Sequence, residues 1–302
     1  MKFAKLSSVD DVDFSLPPEP AENAAVLANT PRPLQQTLYI GGTGYNMKHW
    51  VGSLYPFGAK DKDFLKHYGA QFNTIEHNTT HYRIPDMTTV TRWVEETPAD
   101  FRYCPKIPQT ISHANDLGIS SGLIPLFCQA IGGLGEKLGC CFMQLPPHFT
   151  IRDLPRLQQF MYRWNKTIPL AVEARHESFF EHKTSADKFF QLLKDHNVAT
   201  VITDVAGRRD VCHMRLTNHH VLVRFVGNEL HPSDYTRVEA WAERLKRWMD
   251  EGLHAAYFFT HEPDDILVPE LAEFTLKCFS ERIPGVGIRG PKRVVGQQGT
   301  LF

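Results

Sequence analysis

Six segments of this chain run apolar and then close on a charged or amide side chain on the same strand face. They are Thr74-Ile75-Glu76-His77-Asn78, Tyr103-Cys104-Pro105-Lys106, Cys141-Phe142-Met143-Gln144, Ala171-Val172-Glu173-Ala174-Arg175, Val201-Ile202-Thr203-Asp204 and Leu222-Val223-Arg224. A lone charge buried in a sheet is strongly unfavourable unless it is paired. Repetition of the placement at one end of many strands implies a shared polar cavity at strand C-termini, where a barrel enzyme keeps its site. Side chains alternate along a strand, so Glu76 and Asn78 share a face, as do Glu173 and Arg175. Lys106, Gln144, Asp204 and Arg224 then converge on the same mouth.

Such a set supports acid–base work, because neighbouring carboxylates and cations push one another's pKa values apart. Glu76 or Glu173 would serve as general base, Lys106 or His113 as acid, and Asp204 would tune a cation. Arg175 and Arg224 would grip an anion with paired donors while Gln144 and Asn78 orient it. Lys106 could instead attack a carbonyl if its pKa is depressed. The same balance of charge also permits plain mutual pairing without a ligand.

A divalent metal is the rival reading, since Glu76, His113, Glu173 and Asp204 are ligand types for hard or borderline ions. The cations in the same mouth oppose it, so no cofactor and no obligate metal is expected. His219-His220 adjoin on opposite strand faces, and His261-Glu262-Pro263-Asp264-Asp265 reads as a solvated loop and helix cap. Gly41-Gly42-Thr43-Gly44 reads as a bend at a strand end rather than a phosphate loop, because Met47 stands where the third glycine of a dinucleotide fingerprint would fall. No Gly-x-Ser-x-Gly elbow supports serine hydrolase chemistry.

The elements that must position these side chains follow from periodicity. Helical patterning covers 63–70, 88–96, 123–137, 154–165, 185–197, 235–251 and 268–279. Strand-like runs lie at 38–42, 73–78, 101–106, 139–144, 169–174, 199–204, 220–226 and 254–260. The alternation gives about eight β/α units, the count of an α/β (β/α)8 TIM barrel over residues 37–283. A doubly wound open sheet is the alternative. The polar stretch 207–219 leaves the sixth helix vestigial. Residues 1–36, with Pro17, Pro18, Pro20, Pro31 and Pro33, read as an irregular N-terminal extension, and 284–302 as a short C-terminal tail.

The 302 residues are 42% hydrophobic and 22% charged with a formal charge of -1, a globular composition without a general pull toward nucleic acid or anionic membrane. The six cysteines form no CxxC pair, which suits reduced thiols in a cytoplasmic protein. The N-terminus is acidic and Pro-rich rather than a secretory signal, and no run reaches the ~20 apolar residues of a membrane crossing.

These motifs resemble the DUF72, or YecE-like, family of uncharacterised TIM-barrel proteins over about residues 38 to 275. The resemblance runs through Gly42-Thr43-Gly44-Tyr45 with Trp50, Phe72-Asn73-Thr74-Ile75-Glu76-His77-Asn78-Thr79-Thr80-His81-Tyr82, and Trp93 with Thr97-Pro98. It continues through Phe101 to Lys106, Ile111-Ser112-His113, Gln144-Leu145-Pro146-Pro147, Glu173-Ala174-Arg175-His176, Asp204 and Arg224-Phe225-Val226-Gly227. The resemblance implies the barrel, and it places Glu76, Asn78, Tyr82, Lys106, His113, Gln144, Glu173, Arg175, Asp204 and Arg224 among the family's hallmark positions; Tyr82 joins Asn78, Gln144, Arg175 and Arg224 as an expected substrate-binding residue. It supplies no reaction. Phe259-Thr260-His261 departs from the family's usual Phe-Asn-Asn, which implies an altered eighth-strand contribution.

The tail carries a separate signal. Gln298-Gly299-Thr300-Leu301-Phe302 looks like the peptide by which bacterial DNA enzymes dock on the sliding clamp, with Gln298 bonding backbone and Leu301-Phe302 filling an apolar pocket. Arg289, Lys292 and Arg293 add a small basic patch. The sequence thus leaves three readings: an enzyme acting on a polar or anionic small molecule, a nucleic-acid maintenance factor recruited to a clamp, and a ligand-binding barrel without turnover.

Overall fold

A computed structural model describes residues 4, 6–28 and 33–292. The strands β1 (Thr37–Gly41), β2 (Thr74–His77), β3 (Arg102–Pro105) and β4 (Cys141–Gln144) are followed by β5 (Leu170–Glu173), β6 (Ala199–Asp204), β7 (His220–Val226) and β8 (Ala255–His261). A short β9 (Gly287–Arg289) closes the series, within the segment expected as tail. All ladder pairs are parallel. That explains why β2, β5 and β6 are buried at every position, since parallel strands are covered on both faces.

The helices are α1 (Glu22–Leu27), α2 (Phe64–Gln71), α3 (Thr79–Tyr82), α4 (Met87–Glu96) and α5 (Gln109–Ser112), then α6 (Leu123–Gly132), α7 (Leu154–Arg163), α8 (Lys183–Asp195), α9 (Pro232–Glu251) and α10 (Val268–Arg282). Between β6 and β7 only a single turn, Arg209–Val211, replaces a helix, as the polar stretch there foretells. Pro232 opens α9 and Gly252 ends it with φ +127°. A Cβ at Gly252 would stand 2.5 Å from the Leu27 carbonyl oxygen, so glycine there both turns the chain and lets the end of α1 approach.

Among the described residues the ladders form a seven-stranded sheet, ordered β4-β5-β6-β7-β8-β1-β9, and a two-stranded β2-β3 sheet, rather than one closed ring. The interruption has a local cause. Strand β9 occupies the first half of the β1 edge, pairing Thr37 with Gly287 and Tyr39 with Arg289. Strand β2 therefore meets β1 only at its far end, where the Glu76 N–H donates to the Gly42 carbonyl at 3.0 Å. Side chains carry the rest of this seam. Asn73 donates to the Leu38 carbonyl at 2.9 Å and accepts from the Ile40 N–H at 2.8 Å. Tyr68 accepts from Gly42 at 2.8 Å and donates to the Thr74 carbonyl at 2.9 Å. At the other seam, Gly139 donates to Tyr103 at 2.8 Å and Ile107 to Phe142 at 2.9 Å, joining β3 to β4.

Apolar side chains divide by strand parity. Ile40, Ile75, Val172, Ile202, Val223 and Phe258 pack with the helices in the larger cluster. Their alternates Cys104, Phe142, Ala171, Val201, Leu222 and Phe259 make a second cluster on the opposite faces. The six cysteines are buried and unpaired by disulfides. The N-terminal extension drapes over α9: the Trp248 indole donates to Glu19 at 2.9 Å, Arg244 to the Pro17 carbonyl at 2.8 Å, and Phe14 lies 4.6 Å from the Arg237 guanidinium.

Candidate functional site

Two residues beyond the second apolar cluster, the same strand faces turn polar. Strand β2 delivers Glu76, β5 delivers Glu173, β6 Thr203, β7 Arg224 and β8 His261. Lys106 and Arg175 stand just past the ends of β3 and β5, and Gln144 ends β4. Arg224 is the hub: it forks onto Glu76 at 2.8 and 2.9 Å and reaches Glu173 at 2.8 Å. Arg175 Nε and the Thr203 hydroxyl donate to the other Glu173 oxygen at 2.8 and 2.9 Å. The Asn78 amide donates to Glu76 Oε1 at 2.9 Å, and His261 Nε2 lies 3.0 Å from Oε2. Every carboxylate oxygen of the layer is thus engaged, and the fork joins the two-stranded sheet to the seven-stranded one.

The electrostatics follow from that pairing. Burial alone would raise the Glu173 carboxyl, but Arg175 and Arg224 hold it down at about 2. Burial opposes Glu76 likewise, and Arg224 with His261 keeps it well below the usual carboxylate range. Burial would lower Arg224, yet Glu173 and Glu76 raise it. Lys106 differs. Its ammonium donates to Gln144 Oε1 at 3.0 Å, lies 5.9 Å from the centre of the Phe142 ring, and joins no ion pair among the described residues. Burial, followed by the charge of Arg224, lowers its pKa to about 8.

A carboxylate saturated by arginine and held far below neutrality is a weak proton acceptor. Glu76 and Glu173, offered by the sequence as general bases, are therefore occupied as anchors of the arginines. The layer still holds Lys106, Arg175 and Arg224 against Glu76 and Glu173, an excess of positive charge.

Asp204 corrects the sequence reading. It faces away from the layer, accepting from the Trp241 indole at 2.8 Å and pairing with Arg237 at 2.9 Å and with Arg209. Burial pushes its carboxyl up, but Arg237 and Arg209 bring it below its ordinary value. It fastens α9 to β6, and its neighbour Thr203 takes the inward place. A strand buried on both faces carries no alternation by which to tell these two apart.

The sequence pattern places His261 in a loop, whereas β8 runs through it. The signal was available, since Tyr257, Phe259 and His261 alternate onto one face. His113 lies at the rim with Nδ1 2.9 Å from the Ser112 hydroxyl, lowered by burial and then by Lys106. The His81 ring, 5.4 Å from it, is a further rim group that sequence reasoning passed over. Tyr82 is 73% exposed and takes no part in the charged layer. No group of three or more His, Cys, Asp or Glu side chains able to hold a metal occurs among the described residues. Gln298, Leu301 and Phe302 lie outside the described residues. No helix among the described residues is long and apolar enough to cross a membrane.

Residues 39–285 match the profile of the family described as protein of unknown function DUF72. The chain is 30% identical to the UPF0759 protein YecE of Escherichia coli over 283 residues, covering 88% of this chain and all of that protein. It is 28% identical to the UPF0759 protein YunF of Bacillus subtilis over 158 residues, 47% of this chain and 52% of that one. A crystal structure of a DUF72 family protein from Enterococcus faecalis superposes with a TM-score of 0.64 at 18% identity, covering 87% of this chain and 99% of that one. A Thermotoga maritima DUF72 family protein gives a TM-score of 0.55 at 22% identity, with coverage of 74% and 92%.

Proposed function

The chain belongs to the DUF72 family, and on that premise we propose that its two sheets act together as a (β/α)8 barrel whose strand ends bind a polar or anionic small molecule for acid–base chemistry. The barrel reading is supported by the hydrogen bonds at both seams and by the Arg224 fork between the sheets. The observation that carries the functional reading is the saturation of Glu76 and Glu173, which leaves Lys106 without a carboxylate partner among the described residues. A buried ammonium in that position favours an anionic ligand, which restores the charge balance the fold leaves open.

In this reading Arg224 and Arg175 are fixed cations that shape the field, Gln144 orients Lys106, and Lys106 exchanges the proton. An amine with a pKa of about 8 gives up or takes a proton near neutral pH with little driving force wasted. The test is thermal stabilisation by a panel of small anions, including oxalate, phosphate and pyruvate, for the wild type and Lys106→Met. Stabilisation of the wild type by at least one anion, lost in Lys106→Met, is expected. A wild type indifferent to the whole panel, or a variant that responds equally, would sink the reading.

A further inference from the structure

The surroundings of Lys106 contain more than an anion hole requires. Its backbone is pinned from both sides, the N–H donating to the His77 carbonyl at 3.2 Å and the carbonyl accepting from Thr80 Oγ1 at 2.7 Å. The amine rests over the Phe142 ring, and the Arg224 guanidinium lies 5.8 Å from the centre of that ring. Arg224 is locked by its carboxylates and cannot swing away from the amine. The Gln144 oxygen is a neutral acceptor, so it aims the amine without stabilising its charge as a carboxylate would. A fixed amine with an apolar floor, a fixed cation nearby and no directly paired carboxylate among the described residues is the environment of a nucleophilic lysine.

Resting on the reading above, we propose that Lys106 captures the carbonyl carbon of a small oxo acid as a covalent imine. The excess positive charge of the layer selects the carboxylate of such a substrate, and Lys106 meets its carbonyl. The ammonium first passes a proton to the neutral imidazole of His113, the rim histidine that feels its charge. The freed amine attacks the carbonyl carbon, forming the C–N bond as the C=O π pair moves onto oxygen, which takes one proton from the attacking nitrogen. The resulting carbinolamine expels that oxygen as water, the proton returning from His113, and leaves a protonated imine. Ammonium and ketone thus become iminium and water, with no oxidant or reductant needed.

The experiment treats the full chain with pyruvate and cyanoborohydride, which reduces the imine to a stable amine, and reads the intact mass and the modified peptide. One adduct per chain at Lys106 is expected, absent in Lys106→Arg and suppressed by excess oxalate in the wild type. The oxalate competition keeps the test decisive if Lys106→Arg folds poorly. Acetone, which lacks the carboxylate, should label Lys106 at least about tenfold less. Labelling spread evenly over surface lysines, or none at Lys106 while oxalate still stabilises the chain, would overturn the imine and spare the anion site. Absence of both adduct and oxalate stabilisation would overturn the two together.

Discussion

Arg224→Met removes the cation that Glu76 and Glu173 share. Three charge-assisted hydrogen bonds of 2.8, 2.8 and 2.9 Å go with it, at side chains almost wholly buried. Breaking one partner from a buried ionic cluster costs about 3–5 kcal/mol.

The pH dependence should also change sign. In the wild type both carboxyls are depressed on folding, so their pairing stabilises above the unfolded value of 4.5 and is lost as pH falls from there toward about 2. Without Arg224, burial, the largest single influence on Glu76, is opposed mainly by His261 and is expected to raise the carboxyl above its unfolded value. Stability is then greatest below 4.5 and is lost as pH rises toward the raised value. Urea unfolding followed by tryptophan fluorescence should show the variant recovering up to about 2 kcal/mol between about pH 7 and about pH 5.5, where the wild type changes little. A loss under about 1 kcal/mol at neutral pH, or an equal loss at both pH values, would refute the reasoning.

Three further outcomes are expected. Asp204→Ala should lose about 3–5 kcal/mol of stability while leaving anion affinity within about twofold, as measured by urea unfolding and calorimetry, because Asp204 serves α9 rather than the layer. Asn73→Ala leaves the Ile40 N–H and Leu38 carbonyl without their seam partner and should cost about 2–4 kcal/mol, with faster amide exchange at Ile40 than elsewhere in β1. From the tail sequence, deletion of residues 298–302 should abolish binding to a bacterial sliding clamp in surface plasmon resonance and leave the unfolding midpoint unchanged; undiminished binding would discard that partner.

Much of this architecture was legible because the strands and helices are locally consistent. The run Thr74-Ile75-Glu76 and the run Leu222-Val223-Arg224 each announce a strand and its polar end together, and the fork between Glu76 and Arg224 is the consequence. The periodic face of Val238, Trp241, Leu245 and Trp248 likewise foretold α9, all four being buried. Three things were hidden for physical reasons. Strand β9 is only Gly287–Arg289, too short for any period, and owes its existence to the edge of β1. Asp204 and Thr203 lie in a strand buried on both faces, so parity could not be read. The roles of Glu76 and Glu173 depend on which cation reaches them across the interior, from β7 at positions 148 and 51 residues away in sequence, a distance no local pattern encodes.

The central claim is that Lys106 is a perturbed amine awaiting an anionic partner. The most direct measurement is the titration of its side chain by NMR in protein labelled with carbon-13 at the lysine ε carbons, assigned by difference from Lys106→Arg. A midpoint near 8 that rises when oxalate is added is expected, because a bound anion restores the missing counter-charge. A midpoint at the ordinary lysine value of about 10.4, unmoved by oxalate, would contradict the account.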